Sequence, residues 1–225
     1  LYFRTPARNG QKRRNKVNYL VIEGNIGAGK TSLANRLAED MGARLILEKF
    51  AENPFLPKFY SDPAKYSFPL ELSFLAERYK QHKEQLTHRD MFAPLAIADY
   101  YFSKSLIFAA ITLPVDEYNL YRQLYNIIHQ HLPLPDLYVY LYLPVENLMK
   151  NIGKRGRDYE RGISSEYLTK LQDGYFVYMK GRKDMKSLVI DTRNIDFVNN
   201  QDDYLKLKDA IFNHTYVAGI TRIIL

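Results

Sequence analysis

The sequence predicts an α/β protein, a five-stranded parallel sheet doubly wound by helices. Two observations carry this. From Val17 onward short apolar runs alternate with helical segments, the pattern of successive β-α-β units. The run Leu137–Leu143 (LYVYLYL) is apolar at odd and even positions alike, as a central strand covered on both faces must be. No internal repeat or low-complexity tract interrupts the series.

The elements follow in order. Tyr19–Glu23 (YLVIE) is a short strand stopping at Gly24, and a helix with Leu33 and Leu37 on one face runs over about 30–41. Arg44–Glu48 is the second strand. A loop with Pro54, Pro57 and Pro63 leads to a long amphipathic helix over about 66–87. Pro94–Asp99 is the third strand, followed by helices near 102–110 and 116–131. After the central strand come a helix over 145–152, a glycine-punctuated basic loop over 153–162 and a helix over 165–179. Ser187–Asp191 is the fifth strand and 202–213 the last helix.

Composition narrows the function classes. With 46% hydrophobic and 25% charged residues, the chain has ordinary globular usage, and wholesale disorder is excluded. It has no cysteine, which removes disulfide scaffolds, Cys-ligated zinc and cysteine nucleophiles. No apolar run approaches a membrane span, and no secretory signal core is present, so a reducing, cytoplasmic setting is expected. Of the net charge of +7, six cations and no acid fall in residues 1–16, leaving 26 cations against 25 acids in the remainder. The excess belongs to a basic N-terminal tail or linker, and the body is not expected to bind nucleic acid. The expected organisation is therefore this tail, 1–16, and a single domain, 17–225.

Gly24-Asn25-Ile26-Gly27-Ala28-Gly29-Lys30-Thr31 fits G-x-x-x-x-G-K-[ST] at every fixed position and lies between a strand and a helix. Glycines let the backbone curl so that its N–H groups face phosphate oxygens, and the helix N-terminus adds its dipole. Lys30 is expected on the β and γ phosphates and the Thr31 hydroxyl on Mg²⁺. Asp99, ending an apolar run, has the position of an acid closing the Mg²⁺ shell, though a plain strand end reads the same way. Neither D-x-x-G nor N-K-x-D follows, so guanine-nucleotide switch chemistry is unsupported.

The segments IEGNIGAGKTSLANRLA and ENPFLPKFY, the strand-end acid Glu48 and the RGR loop together resemble the deoxynucleoside kinase family, most closely its bacterial deoxyadenosine/deoxyguanosine kinases. The resemblance implies a P-loop kinase fold, ATP and Mg²⁺ as cofactors, transfer of the γ-phosphoryl group to a deoxynucleoside 5′-hydroxyl, and a homodimer. By the same resemblance Glu48 is the general base, and Tyr60 and Glu160 meet the sugar 3′-hydroxyl; the alternatives are a surface acid paired to Lys49, a core tyrosine and a solvated loop acid. Glu71 and Arg78, two helical turns apart beside the apolar stripe of Phe68, Leu72, Leu75 and Tyr79, bind the base; a salt bridge between them is the alternative. Phe108 stacks on the base or serves as a core aromatic. Arg155 and Arg157 match the family's lid arginines, with Lys150 a further cation. Some bacterial relatives are fused to a pterin pyrophosphokinase domain, so residues 1–16 could be the linker of such a fusion.

Three departures bear on substrate choice. The family follows the acid at Asp99 with arginine, whereas here Tyr100 and Tyr101 follow, so Lys104 or a lid arginine must take its place. An acid that helps read the base is also missing, with Lys104 near its position. At Glu71 the family commonly carries glutamine. A carboxylate only accepts hydrogen bonds, and guanine presents the adjacent donors N1–H and N2–H₂, which favours deoxyguanosine over deoxyadenosine. The alternatives are a thymidylate-type monophosphate kinase, which needs cations for an acceptor phosphate, and a nucleotide-binding accessory protein on the same fold. His129 and His131 diverge on a helix and form no metal site.

Overall fold

The structure is a computed structural model that describes residues 17–49, 53–87, 95–129 and 132–225. The tail 1–16, Pro94 and His131 lie outside them. Six strands form one parallel sheet: β1 (Tyr19–Gly24), β2 (Arg44–Ile46), β3 (Ala96–Ala98), β4 (Leu137–Tyr142), β5 (Lys186–Asp191) and β6 (Gly219–Ile224), in the order β2-β3-β1-β4-β5-β6. The sixth strand adds to the five predicted. It pairs only with β5, at the edge, and half its residues are exposed, so its short run lacks the uninterrupted apolar signature of the inner strands.

Alternation along the strands divides the core. Leu137, Val139 and Leu141 face one layer with Leu33 and Leu37 of α1 (Lys30–Met41). Tyr138 and Tyr140 face the other, against Tyr175 and Met179 of the later helix Ser165–Gly181. Between β2 and β3 the chain forms α2 (Leu56–Ser61) and α3 (Pro63–Thr87). The prolines of the α2 segment predict a loop. Pro57 and Pro63 instead open the two helices, where a missing N–H costs nothing.

After β3 come α4 (Ser103–Thr112) and α5 (Val115–His129), and β4 leads into α6 (Val145–Arg155). α6 runs past the predicted end at Ile152 through Gly153 and stops where Gly156 takes a left-handed φ of 67°. α7 (Ser165–Gly181) and α8 (Gln201–Phe212) complete the set. Gly174 of α7 lets α4 approach closely: a Cβ there would lie 3.0 Å from Ile107 Cγ2.

The stripe predicted on α3 needs one correction. Phe68, Leu75 and Tyr79 do pack toward α4 and α5, but Leu72 is 38% exposed. The helix is held on a second side as well, by Leu70 and Phe74 against Leu56 and Phe59 of α2, so its buried arc swings away from Leu72. His129 lies against the rings of Tyr125 and Phe102, the structural place expected for it.

Candidate active site

Strand β1 delivers its last residues beneath the phosphate loop. A Cβ on Gly24 would meet the Leu141 carbonyl at 2.7 Å, and one on Gly29 would meet the Phe197 ring at 2.7 Å, with Gly29 also at φ 87°. Only glycine fits either place. The Asn25 amide donates to the Leu168 carbonyl (2.7 Å) and its Oδ1 accepts from the Ile26 N–H (2.8 Å), fixing the turn. Gly29 is the N-cap of α1, so the first-turn N–H groups of that helix, which have no intrahelical partner, open at the loop. Lys30 donates to the Asn25 carbonyl at 2.9 Å. Burial, with Lys104 nearby, lowers its ammonium to about 8 against the pull of Glu23, Asp99 and Glu48.

Asp99, at the end of β3, joins this loop to the acid after β2. Its Oδ2 accepts from the Thr31 hydroxyl at 2.6 Å, and its Oδ1 accepts from the Glu48 N–H at 2.8 Å. Glu48 in turn takes Arg78 Nε at 2.9 Å and Nη2 at 2.6 Å on one oxygen and the Lys104 ammonium on the other. Burial alone would raise this carboxyl, but the cations of Lys104 and Arg78 overcome it and hold it at about 2. Arg78 pairs with Glu48, and not with Glu71, and its Nη1 donates to Ser105 Oγ at 2.7 Å. Tyr100, where the family has arginine, is fully buried and donates to Gln81 Oε1 at 2.7 Å. The ammonium beside Glu48 is that of Lys104, from the first turn of α4.

Glu71 lies deeper, 2% exposed. Its Oε1 is 3.1 Å from the Thr112 hydroxyl, while its Oε2 has no partner among the described residues. Burial raises its carboxyl to about 7, with Arg78 and the Thr112 hydroxyl opposing. Across the site, buried Glu160 accepts from Arg155 Nε (3.0 Å) and Nη2 (2.5 Å) and from Arg157 Nη1 (3.4 Å). Tyr60 stacks on Tyr159 with centroids 6.0 Å apart.

Lys30, Thr31, Glu48, Tyr60, Glu71, Arg78, Asp99, Phe108, Arg155, Arg157 and Glu160, predicted from seven separate segments, all line one cleft of about 800 Å³. Ile26 and Gly27 line it too, whereas Gly24 and Asn25 are buried beneath. Ala28 and Gly29 face a second cleft, of about 1300 Å³, between α6 and the segment 192–199; Gly27 and Arg155 line both. Lys150 lies exposed on α6 and lines neither.

Sequence reasoning passed over Thr112 and Glu23. The Glu23 carboxylate, wholly buried, accepts from the Tyr101 N–H (2.9 Å) just before α4 and from the Tyr175 hydroxyl (3.0 Å). A charged residue closing an inner strand was the available signal for it. Nothing in the sequence singles out Thr112.

Comparison with known proteins points to one family. Residues 20–216 match the profile of the family described as deoxynucleoside kinase. The chain is 36% identical over 197 residues to the deoxyguanosine kinase of Bacillus subtilis (strain 168), covering 86% of this chain and 95% of that protein. It is 29% identical over 203 residues to the deoxyadenosine/deoxycytidine kinase of the same organism, covering 87% and 92%. Among solved structures, the deoxyadenosine kinase of M. mycoides with products dCMP and a flexible dCDP bound superposes with a TM-score of 0.75 at 25% identity, over 87% of this chain and all of that one.

Proposed function

The chain belongs to the deoxynucleoside kinase family, and from that premise we propose that its substrate is a purine deoxynucleoside, deoxyguanosine ahead of deoxyadenosine, and that residues 17–225 carry the activity. The enzyme is an ATP-dependent phosphotransferase. The observation that carries the site assignment is the Asp99 bridge. One carboxylate takes the phosphate-loop hydroxyl of Thr31 on one oxygen and the backbone N–H of Glu48 on the other, fixing the donor side against the acceptor side.

In this reading the triphosphate lies along the loop, with the nucleoside of ATP in the outer cleft and the acceptor in the inner one. The acceptor 5′-oxygen attacks the γ-phosphorus, the bond from that phosphorus to the β,γ-bridging oxygen breaks, and ADP leaves. The hydroxyl proton passes to Glu48. A carboxyl held at about 2 is a weak base, which suits a loose transition state in which the hydroxyl loses its proton late. Glu48 then serves first to aim the hydroxyl, with Arg78 and Lys104 fixing its two oxygens. Lys30, Arg155 and Arg157 meet the charge spread over the transferring group. Tyr60 and Glu160 take the sugar, Phe108 and Arg78 flank the base, and Glu71 reads its edge.

Mg²⁺ fits the residues present. The Thr31 hydroxyl and Asp99 carboxylate are hard oxygen donors held 2.6 Å apart, and Mg²⁺ draws its other ligands from phosphate and water rather than from a protein cage. When bound, it neutralises phosphate charge. Family membership supports a cytoplasmic homodimer working in nucleotide salvage. No helix among the described residues is long and apolar enough to cross a membrane.

Labelled ATP offered with each of four deoxynucleosides and with dTMP tests the proposal. Transfer to deoxyguanosine above deoxyadenosine is expected, with none to dTMP. Transfer to dTMP alone would move the chain to the monophosphate kinases, and transfer to no acceptor would leave a nucleotide-binding accessory role.

A further inference from the structure

Among the groups lining the inner cleft, the Glu71–Thr112 pair has a hydrogen-bond arithmetic that the proposed reaction does not use. Thr112 Oγ1 lies 3.1 Å from Glu71 Oε1 and 3.0 Å from the Phe108 carbonyl. A hydroxyl has one hydrogen and two lone pairs, so it can donate to only one of these at a time. If Glu71 is ionised, the hydroxyl donates to it. If Glu71 is protonated on its other oxygen, Oε1 is a carbonyl oxygen that still accepts from the hydroxyl. The same contact therefore holds Glu71 in place in either state. The other oxygen, Oε2, is buried without a partner among the described residues, on a side chain that lines the cleft. Ionised, it accepts; protonated, it donates.

We infer that Glu71 and Thr112 form a base reader whose polarity reverses with one proton: the carboxylate selects the N1–H and N2–H₂ donors of guanine, and the acid donates to the N1 acceptor of adenine. This rests on the purine reading above and deepens it. The surroundings place the exchange near neutrality. Glu71 is faced by Arg78 on its own helix, Glu48 after β2, Lys104 and Thr112 on α4, Tyr60 on α2, Tyr121 on α5 and Tyr167 on α7. Of these, the two cations and the hydroxyl favour the carboxylate and Glu48 opposes it, but burial outweighs them and sets the group at about 7.

The test is kcat/KM for deoxyguanosine and deoxyadenosine, each measured across pH. The deoxyguanosine-to-deoxyadenosine ratio should rise by more than about tenfold from about pH 6 to about pH 8.5, with Glu71→Gln flat over that range. Thr112→Val removes the donor that favours the carboxylate, so the midpoint should move to higher pH. Thr112→Ser, which keeps the hydroxyl and guards against a folding defect, should retain the original curve. A pH-independent ratio in the unaltered enzyme, combined with a changed ratio in Glu71→Gln, overturns the switch and leaves Glu71 as a base contact. If Glu71→Gln leaves the ratio unaltered at every pH, the purine reading itself fails.

Discussion

At the scale of single residues, the site is built from buried charges whose partners decide their protonation. Glu48→Gln keeps the shape but removes the proton acceptor. It should lower kcat by about 10²–10⁴ with a smaller change in deoxynucleoside KM, measured by steady-state kinetics beside a melting curve that checks folding. Lys30, brought down to about 8 by burial and by Lys104, should lose its charge at the alkaline end of the working range. In the enzyme without nucleotide, kcat/KM for ATP should therefore fall above about pH 8; a plateau to pH 10 would contradict the assigned contact. Glu71 gives a stability prediction of definite sign. Its folded value, about 7, lies above the ordinary carboxylate range, so between the two the folded state binds more protons than the unfolded one. Stability from this group is present in acid and is lost as pH rises through 7. Glu71→Gln should accordingly stabilise the protein by about 1–3 kcal/mol at pH 8 and by little at pH 5, as read by urea unfolding at the two values. The sequence exposed Lys30 and Glu48 through a motif and a strand-end position. Thr112 stayed hidden because its importance lies in a contact across 41 positions, which no local pattern records.

At the scale of elements, α4 is the member on which acceptor recognition depends. Lys104, Ser105, Phe108 and Thr112 all lie on it, and none of its own side chains caps its first turn. Glu23, closing β1, instead fastens the chain just ahead of it by accepting the Tyr101 N–H. From the other side α7 presses close at Gly174. Gly174→Val would push against Ile107 and should cost about 1–3 kcal/mol by overpacking. Because α4 carries acceptor contacts and few donor ones, the same substitution should raise the deoxynucleoside KM several-fold while leaving the KM for ATP nearly unchanged; equal effects on both would contradict this division. Helices were legible because their burial imposes a period, and inner strands because burial on both faces leaves an unbroken apolar run. Those that escaped carry neither sign plainly: α2, whose prolines read as breakers but sit at helix starts, and β6, an edge strand with alternate residues in solvent.

For the whole molecule, the sheet order places the chemistry. β1 lies between β3 and β4, so the loop after it stands at the middle of the sheet's carboxyl end, where open α/β sheets bind ligands. The inner cleft lies on the β2–β3 side and the outer one beside α6 and the loop after β5, with Gly27 and Arg155 common to both. The described residues that build this arrangement begin at Val17. The start of β1 is fastened by Asp136, whose Oδ2 accepts from the N–H groups of Asn18 and Tyr19 at 2.8 and 2.9 Å. A chain beginning at Val17 keeps both bonds, and should retain kcat within about twofold and its melting temperature within about 2 °C. A chain ending at Phe212 should behave differently. It loses β6, six residues of register against β5, and with it the packing of Ile223 and Leu225 on the core. That leaves the β5 edge open, so the melting temperature should drop by about 5 °C or more and aggregation should increase. The loop, Glu48 and α4 lie on the far side of β4 from this edge, so the fraction that remains folded should still turn over near the normal rate. Active-site titration alongside kcat would separate the two effects, and a fall in turnover per folded site would show that β6 supports the catalytic geometry as well as the sheet.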